Sequence, residues 1–328
     1  MRDRLKRNRR LTRKQHRLRL VLCIAAGCVL FLCGAIPLLR YASDTRRTAE
    51  EEKRFKALYY ETQSPSPTVA AGAATPVPAA PEPTASPAPV TAFPASEAVS
   101  APSPTAAPAP TVAPWPSNPE MAVSPAIGRL RKANKDIIGW LAIPGMLEQP
   151  VVQRDNEYYL DRDAEKKHNT NGALFLDEYI SLKERPNTYI IFGHNMKTGE
   201  MFGNLRMYEN AAYYRRNALV DFNVLYEDGK YAIFSIADVD ILSGLGHYVP
   251  FMQLGSMAPE ERNSCIRQLQ ELSVIRSPLL VDAEDQLLLL VTCTGNDNTR
   301  RVVAARRLRE GETVESLEAS LQRAVRRQ

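Results

Sequence analysis

Two short segments carry side chains that could perform nucleophilic chemistry. Residues 189–197 are Tyr-Ile-Ile-Phe-Gly-His-Asn-Met-Lys, and residues 289–295 are Leu-Leu-Val-Thr-Cys-Thr-Gly. Each segment places one reactive side chain, His194 or Cys293, where an apolar strand ends and a glycine-bearing loop begins. Two arginines follow the second segment. Together these groups could carry out acyl transfer, in which a thiolate attacks, an imidazole moves the proton and a guanidinium stabilises negative charge.

Cys293 is the candidate nucleophile. It ends the run 287–292, which is apolar on both faces as far as Thr292, so the strand is predicted to be central with its last residue at a rim. A free thiol has a pKa of about 8.5, so a nearby cation is needed to supply thiolate at neutral pH. A packed structural cysteine is the alternative, and the flanking Thr-Cys-Thr-Gly with the distant His and Arg segments favours the nucleophile.

His194 is the candidate acid/base group, because it leaves a buried strand through Gly193. Asn195 could orient its ring. The other three histidines are weaker candidates, and of these only His247 lies in a glycine-bearing loop that could border a substrate groove. No second His, Cys or carboxylate has ligand spacing to His194 or Cys293, so a metal ion is not expected.

Taken in chain order, the motifs of this sequence resemble those of class B sortases over roughly residues 126–308. The segments that carry the resemblance are Ile138–Pro144, Gln149–Gln153, Asn156–Leu160, Leu174–Asp177, Gly193–Lys197, Met201–Leu205, and Thr292–Cys293 followed by an arginine before Val302-Val303. The resemblance implies that Cys293 is the nucleophile and His194 the acid/base group. It also implies Arg301 as the catalytic arginine, since the family's arginine directly precedes the Val-rich strand.

Arg300 and Arg301 point to opposite faces if they lie in a strand, because side chains alternate there. With Arg301 assigned to the site, Arg300 is an ordinary exposed charge. Supporting or substrate-binding roles are predicted for Asn195, Thr292 and His247.

The pattern of elements predicts a mainly β fold. Many short strands with few helices favour a closed or nearly closed barrel, and the resemblance implies an eight-stranded barrel with an N-terminal helix and a helix before the last two strands. Helices are predicted over residues 126–134 and 259–272. Strands are predicted over residues 137–143, 150–153, 173–176, 188–192, 219–226, 230–239, 286–292 and 302–308.

Charge and hydropathy divide the chain. The formal net charge is +5, but residues 1–19 hold ten Lys or Arg and one Asp, so the remainder sums to −4, which argues against nucleic-acid binding. Residues 20–39 are apolar and uncharged, long enough to cross the roughly 30 Å hydrocarbon core of a lipid bilayer. The basic flank predicts a cytoplasmic N-terminus and an extracellular catalytic domain, and a cleaved signal peptide is the alternative.

The predicted organisation has six parts. They are a basic cytoplasmic tail (1–19), a transmembrane helix (20–39), a charged juxtamembrane segment (40–62), a Pro/Ala/Ser/Thr-rich disordered linker (63–120), a sortase catalytic domain (121–309) and a helical extension (310–328). The linker is expected to be a semi-rigid spacer between membrane and domain.

By resemblance, the predicted function is a membrane-anchored cysteine transpeptidase, whose chemistry needs no metal or organic cofactor. Its partners would be exported proteins with a C-terminal sorting signal and a peptidoglycan peptide amine as acceptor. Two alternatives remain open from the sequence. One is a pilin-polymerising sortase with a Lys acceptor, and the other is a non-catalytic surface stalk that presents a binding domain.

Overall fold

The computed structural model describes residues 2–61 and 115–327. Within the first range, the side chains of residues 2–17, 19, 22–30, 32 and 37 lie outside the description. Most of the predicted linker, 63–120, and the side chain of His16 therefore fall outside the described residues.

The described residues form five α-helices and ten strands. The helices are α1 (Arg2–Tyr60), α2 (Pro125–Leu130), α3 (Ala211–Asn217), α4 (Pro259–Leu272) and α5 (Val314–Leu321). The strands are β1 (Ile137–Ile143), β2 (Leu147–Val152), β3 (Leu174–Leu176), β4 (Thr188–Phe192), β5 (Leu219–Val224), β6 (Lys230–Asp240), β7 (Ile275–Arg276), β8 (Leu287–Cys293), β9 (Thr299–Arg307) and β10 (Val325–Arg326).

Eight of the strands close into a barrel in the order β1-β2-β3-β4-β8-β9-β6-β5. Strand β1 pairs antiparallel with both β2 and β5, which closes the sheet and leaves the barrel without a free edge. Helix α4 precedes β8 and β9, the last two strands of the barrel. The predicted mainly β fold, an eight-stranded barrel with a helix before its last two strands, is confirmed.

Strand β8 lies between β4 and β9 in the barrel. Its residues 287–291 are each at most 1% exposed. Burial on both faces explains why the sequence shows a continuous apolar run there instead of an alternating pattern. Burial of each Leu stabilises the fold by roughly 1.5–3 kcal/mol. This burial holds β8 in the barrel and thereby holds Cys293, its last residue, at the rim.

Helix α1 contains the predicted membrane span, residues 20–39. The side chains of residues 22–30, 32 and 37 in that span lie outside the description. Among the residues that are described, no helix has the length and apolar character needed to cross a membrane.

The C-terminal part of α1 packs against the barrel. Asp44, Thr48 and Phe55 are buried, and their spacing of four and seven residues places them on one face of the helix. Tyr59 stacks on Trp140 of β1 with ring centroids 4.6 Å apart. The catalytic domain predicted from the sequence, residues 121–309, does not include this helix. The face of α1 that contacts the barrel contains polar as well as apolar residues.

The C-terminal extension, predicted to be helical over residues 310–328, contains α5 and then the short strand β10. Strand β10 pairs antiparallel with β7, outside the barrel. Leu317, Leu321 and Ala324 are buried, so this segment contributes to the core. Thr313 caps α5 by accepting a hydrogen bond from the Ser316 backbone N–H.

Candidate active site

His194 and Cys293 come together because β4 and β8 are parallel neighbours. In this pair Phe192 lies beside Val291. Parallel neighbours end at the same edge of a sheet, so the residues that follow emerge at one rim of the barrel. Cys293 is exposed there, and His194 is half-buried.

Two hydrogen bonds tie these strand ends together. The Thr292 hydroxyl donates to the Gly193 carbonyl at 2.7 Å, and Nδ2 of Asn195 donates to the Cys293 carbonyl at 2.7 Å. Asn195 therefore holds the backbone of the candidate nucleophile. The structure places Thr292 and Asn195, both predicted as supporting residues, where they fix His194 and Cys293 relative to each other.

The chain around Gly193, directly before His194, is packed too tightly for a side chain at residue 193. A Cβ atom on Gly193 would lie 2.6 Å from a methyl carbon of Leu174 and 2.8 Å from the Phe202 ring. The Phe202 backbone N–H donates to the His194 carbonyl at 2.9 Å, so the chain folds back on itself. This close approach explains why glycine precedes His194 and why Phe202 follows a few residues later.

The ring of His194 is oriented by the backbone of another loop. Its Nε2 lies 2.8 Å from the Leu160 carbonyl oxygen. A carbonyl can only accept a hydrogen bond, so we assign the proton in this contact to Nε2. The other ring nitrogen, Nδ1, is then left to serve a reaction.

A cavity of about 250 Å³ lies beside these groups. Its lining consists of the apolar Leu160, Phe175, Phe192, Gly193 and Val291 and the polar Asn156, His194, Thr292, Cys293 and Arg300. A lining that combines apolar walls with a few polar groups is typical of a ligand-binding site. A larger cavity of about 630 Å³ lies elsewhere, but its lining has neither a cysteine nor a histidine.

The register between β8 and β9 decides which arginine faces the cavity. Cys293 lies directly opposite Arg300, and Thr292 lies opposite Arg301. Residues opposite each other in an antiparallel pair share a face, whereas successive residues alternate. Arg300 therefore lies on the face of Cys293, and Arg301 lies on the other face.

Arg301 is already occupied by carboxylates. Its guanidinium donates to both carboxylate oxygens of Asp238, at 2.8 and 2.9 Å, and lies 2.7 Å from Glu209. Burial alone would lower the pKa of Arg301. The two carboxylates raise this pKa by more than burial lowers it, so the net shift is upward. Arg301 thus links β9 to Asp238 of β6 and to Glu209, which ends the 3-10 helix Gly203–Glu209 before α3.

Arg300, in contrast, donates to the carbonyls of Asp297 and Thr299 in its own turn, at 2.8 and 3.0 Å. It has no carboxylate partner in the described part of the chain. The sequence predicted Arg301 as the site arginine, whereas the structure places Arg300, and not Arg301, in the lining of the cavity. The predicted alternation is present, but the register depends on the turn at 294–298, which the Val-rich pattern does not specify.

The remaining candidates lie away from the cavity. His247 is exposed, and its backbone N–H donates to the Asp240 carboxylate at 3.0 Å. Cys265 is 1% exposed in α4, and burial raises the pKa of its thiol to about 11, which disfavours a thiolate. Within residues 2–61 and 115–327, as far as their side chains are described, no three His, Cys, Asp or Glu residues are grouped to hold a metal ion.

Two contributors were missed by sequence analysis. Arg300 could be identified only from the strand register. Leu160 acts through its carbonyl oxygen, and a backbone group leaves no signature in residue types. Its only sequence signal is its position in Asn156–Leu160, one of the segments that resemble class B sortases. The side chain of residue 160 itself has no titratable group.

No family model matches the chain. Two curated relatives do. Sortase B of Staphylococcus aureus (strain NCTC 8325 / PS 47) is 26% identical over 190 residues, which cover 57% of this chain and 75% of the relative. Sortase B of Listeria monocytogenes serovar 1/2a is 29% identical over 169 residues, which cover 50% of this chain and 65% of the relative, slightly under two thirds of its length.

Solved structures show the same similarity. The 2.0 Å crystal structure of S. aureus sortase B has a TM-score of 0.50 and 26% identity, with 58% of this chain and 90% of that chain covered. A S. aureus sortase B–substrate complex matches with the same score and identity, covering 58% and 88%. A sortase B complexed with triglycine matches likewise, covering 58% and 89%. Sequence and fold agree, and the resemblance predicted from the motifs is confirmed: the chain is similar to class B sortases in both.

Proposed function

We propose that this chain is a cysteine transpeptidase that cleaves a sorting motif of exported proteins. The Cys293 thiolate attacks the carbonyl carbon of the scissile peptide bond, and the C–N bond then breaks. His194 gives a proton from Nδ1 to the leaving amine, while Nε2 stays bonded to the Leu160 carbonyl. The product is a thioester between Cys293 and the N-terminal part of the substrate.

Arg300 is the proposed oxyanion-stabilising group of this reaction. It lies on the face of Cys293 and lines the same cavity. A guanidinium keeps its charge and has several donors, so it can bind the substrate carbonyl and the oxyanion that forms from it. The two carboxylate partners of Arg301 support this choice of Arg300, because they already occupy donors of the Arg301 guanidinium.

The second half of the proposed reaction transfers the acyl group to an amine. The amine attacks the thioester carbon and gives a proton to Nδ1 of His194, the C–S bond breaks, and the Cys293 thiolate and the protonated imidazole are both regenerated. The similar structures with a bound substrate and with triglycine support a peptide substrate and an amine acceptor. We infer that the natural acceptor is an amine of the peptidoglycan peptide, which attaches the exported protein to the cell wall.

We also propose that the enzyme works at the outer face of the cell membrane. Support comes from the sequence, in which ten basic residues precede the uncharged residues 20–39. That order favours a cytoplasmic N-terminus with the barrel outside. Protease added to intact cells should then remove the barrel and spare the N-terminal tail, whereas release of the barrel into the medium by processing near residue 42 would contradict the anchor.

One observation carries the proposed activity. Cys293, His194 and Arg300, which are far apart in the sequence, line a single cavity at the ends of three adjacent strands. A binding stalk would have no need for a thiol, an imidazole and an unpaired guanidinium at one rim.

The experiment is cleavage of a sorting-peptide library by the full chain, with and without oligoglycine. The proposed function predicts cleavage of one sequence class, usually between Thr and Gly, and transfer of the N-terminal fragment to oligoglycine. Cys293→Ala should abolish both reactions, and Cys265→Ala is the matched control that should keep them. A Cys293→Ala protein that still cleaves the peptides would contradict the proposal.

A further inference from the structure

The juxtamembrane part of α1 lies against the loop that orients His194. This loop, residues 161–172, starts directly after Leu160, whose carbonyl accepts from the His194 ring at 2.8 Å. Through this contact, the position of the loop fixes the direction of the imidazole. The question is therefore what holds the loop.

Helix α1 binds the loop through two buried side chains. The Thr48 hydroxyl accepts hydrogen bonds from the side-chain amides of Asn169 at 3.1 Å and Asn171 at 3.0 Å. The Asp44 carboxylate accepts from the backbone N–H and the hydroxyl of Thr170, at 3.2 and 2.8 Å. Both asparagines are 0% exposed, so water cannot replace these bonds if they are lost.

The C-terminal end of the loop 161–172 contacts both Leu160 and His194. The Asn169 carbonyl accepts from the Gly172 backbone N–H at 3.0 Å. Gly172 has a φ of +64°, and a Cβ placed on it would lie 2.8 Å from the Leu160 carbonyl oxygen and 3.2 Å from the His194 ring. The end of the loop therefore packs on both members of the hydrogen bond that orients the imidazole.

A second contact from α1 reaches the loop that carries His194 itself. The Tyr41 hydroxyl donates to the Thr198 hydroxyl at 3.1 Å. Residues 41–48 of the helix thus contact the segments on both sides of the His194–Leu160 hydrogen bond. The contact with Thr198 is exposed, but those of Asp44 and Thr48 with the loop 161–172 are buried, and a helix that served only as a tether would not need them.

We propose that Asp44 and Thr48 of helix α1 are positioning residues for His194, acting through the loop 161–172 and the Leu160 carbonyl. The kinetic part of this inference rests on the proposed transpeptidase function. Helix α1 then contributes to catalysis by positioning His194, although residues 62–114 separate it from the barrel in the sequence. Misplacing a catalytic group by about 1 Å can cost about a hundredfold in rate, so a loosened loop should be visible in turnover.

The test uses the full chain with Thr48→Val, which keeps the shape of the side chain and removes the acceptor of Asn169 and Asn171. We expect kcat to fall about tenfold or more with KM within about twofold, because orientation is lost while the cavity is intact. Thr48→Ser keeps the hydroxyl and should restore kcat. Ser43→Ala, on the exposed side of α1, is the matched control and should behave as wild type.

A second measurement separates this inference from the proposed function. NMR of the His194 ring N–H, recorded without substrate, should show a proton protected from exchange in the wild type and in Thr48→Ser. The protection should be lost in Thr48→Val. If the wild type cleaved no sorting peptide, the proposed function would fail and the ring signal alone would decide the positioning role. Thr48→Val with wild-type kcat, or with an unchanged ring N–H signal, overturns the inference.

Discussion

Strand β9 carries arginines at both ends of its pairing with β8, and the surroundings of these arginines differ. At the far end, Arg306 lies opposite Leu287, is 2% exposed, and donates to both carboxylate oxygens of Glu312 at 2.7 and 2.6 Å. It also donates to the Leu280 carbonyl at 2.9 Å. At the rim, Arg300 donates to two carbonyls of its own turn and faces the cavity.

The difference separates a structural arginine from one available for chemistry. A guanidinium whose donors already bind carboxylates has little capacity left for a substrate oxyanion. One that is held only by its own turn keeps donors for a group that arrives later. Arg301, although next to Arg300 in the sequence, belongs with the structural arginines because Asp238 and Glu209 occupy it.

The largest expected effect is the loss of the rim arginine. Arg300→Ala should reduce kcat/KM for a sorting peptide by about a hundredfold to a thousandfold, the usual cost of removing an oxyanion donor. The measurement is steady-state cleavage of a fluorogenic peptide. The unfolding temperature should stay near that of the wild type, because Arg300 has no described carboxylate partner to leave unpaired.

Arg301→Ala is the matched control for the same assay. It should keep most of the activity and lower the unfolding temperature slightly, since Asp238 and Glu209 are partly exposed and water can solvate them. If Arg301→Ala abolished cleavage and Arg300→Ala did not, the register between β8 and β9 would be shifted by one residue from the one described.

The next effect is on stability at the far end of the strands. Arg306→Met should lower the free energy of unfolding by about 2–4 kcal/mol, because it breaks the ion pair of a buried guanidinium and leaves the Glu312 carboxylate with the Arg309 backbone N–H as its remaining donor. Denaturant unfolding measures this change, with exposed Arg276→Met as the control. Activity per folded molecule should not change, and a large loss of activity in folded Arg306→Met would weaken the contrast between the two ends.

The smallest expected effect extends the comparison from arginines to carboxyl groups. The hydrogen bonds from Arg306 lower the pKa of Glu312, so its contribution to stability is lost as the pH falls. Glu51 in α1 is the opposite case. Burial first, and then the charge of Asp163, raises its pKa from 4.5 to about 8.

The sign of the Glu51 effect follows from this shift. The folded state favours the protonated carboxyl, so stability should decrease as the pH rises from about 4.5 to about 8 and then level off. Glu51→Gln removes the titration and should flatten the dependence of the unfolding temperature on pH over this interval. Parallel curves for the two proteins would show that Glu51 is not buried against the barrel.

Much of the fold follows from the sequence because local pattern and tertiary structure agree. Strands β1 and β4 and helix α4 have the predicted bounds, since each combines a clear apolar pattern with turn or cap residues at its ends. The placement of His194 and Cys293 at strand ends was also predictable. Both follow apolar runs that are buried on two faces, and such runs end where the chain leaves the core.

The rest depends on contacts between distant segments. A shift of one residue in register moves every side chain of β9 to the other face, and the residue types at 300 and 301 are identical. The docking of α1 was not predicted either, because its contact face uses Asp44 and Thr48 as well as Phe55. In sequence, such a face resembles an ordinary solvated helix.

The most direct test of the central claim is the mass of the wild-type protein during turnover of a cleavable sorting peptide. The proposed mechanism predicts a covalent adduct on Cys293 with the mass of the N-terminal peptide fragment, which disappears when oligoglycine is added. Cys293→Ala should form no adduct. Cleavage that proceeds with no adduct on Cys293, or an adduct on another residue, would contradict the assignment of this rim as the active site.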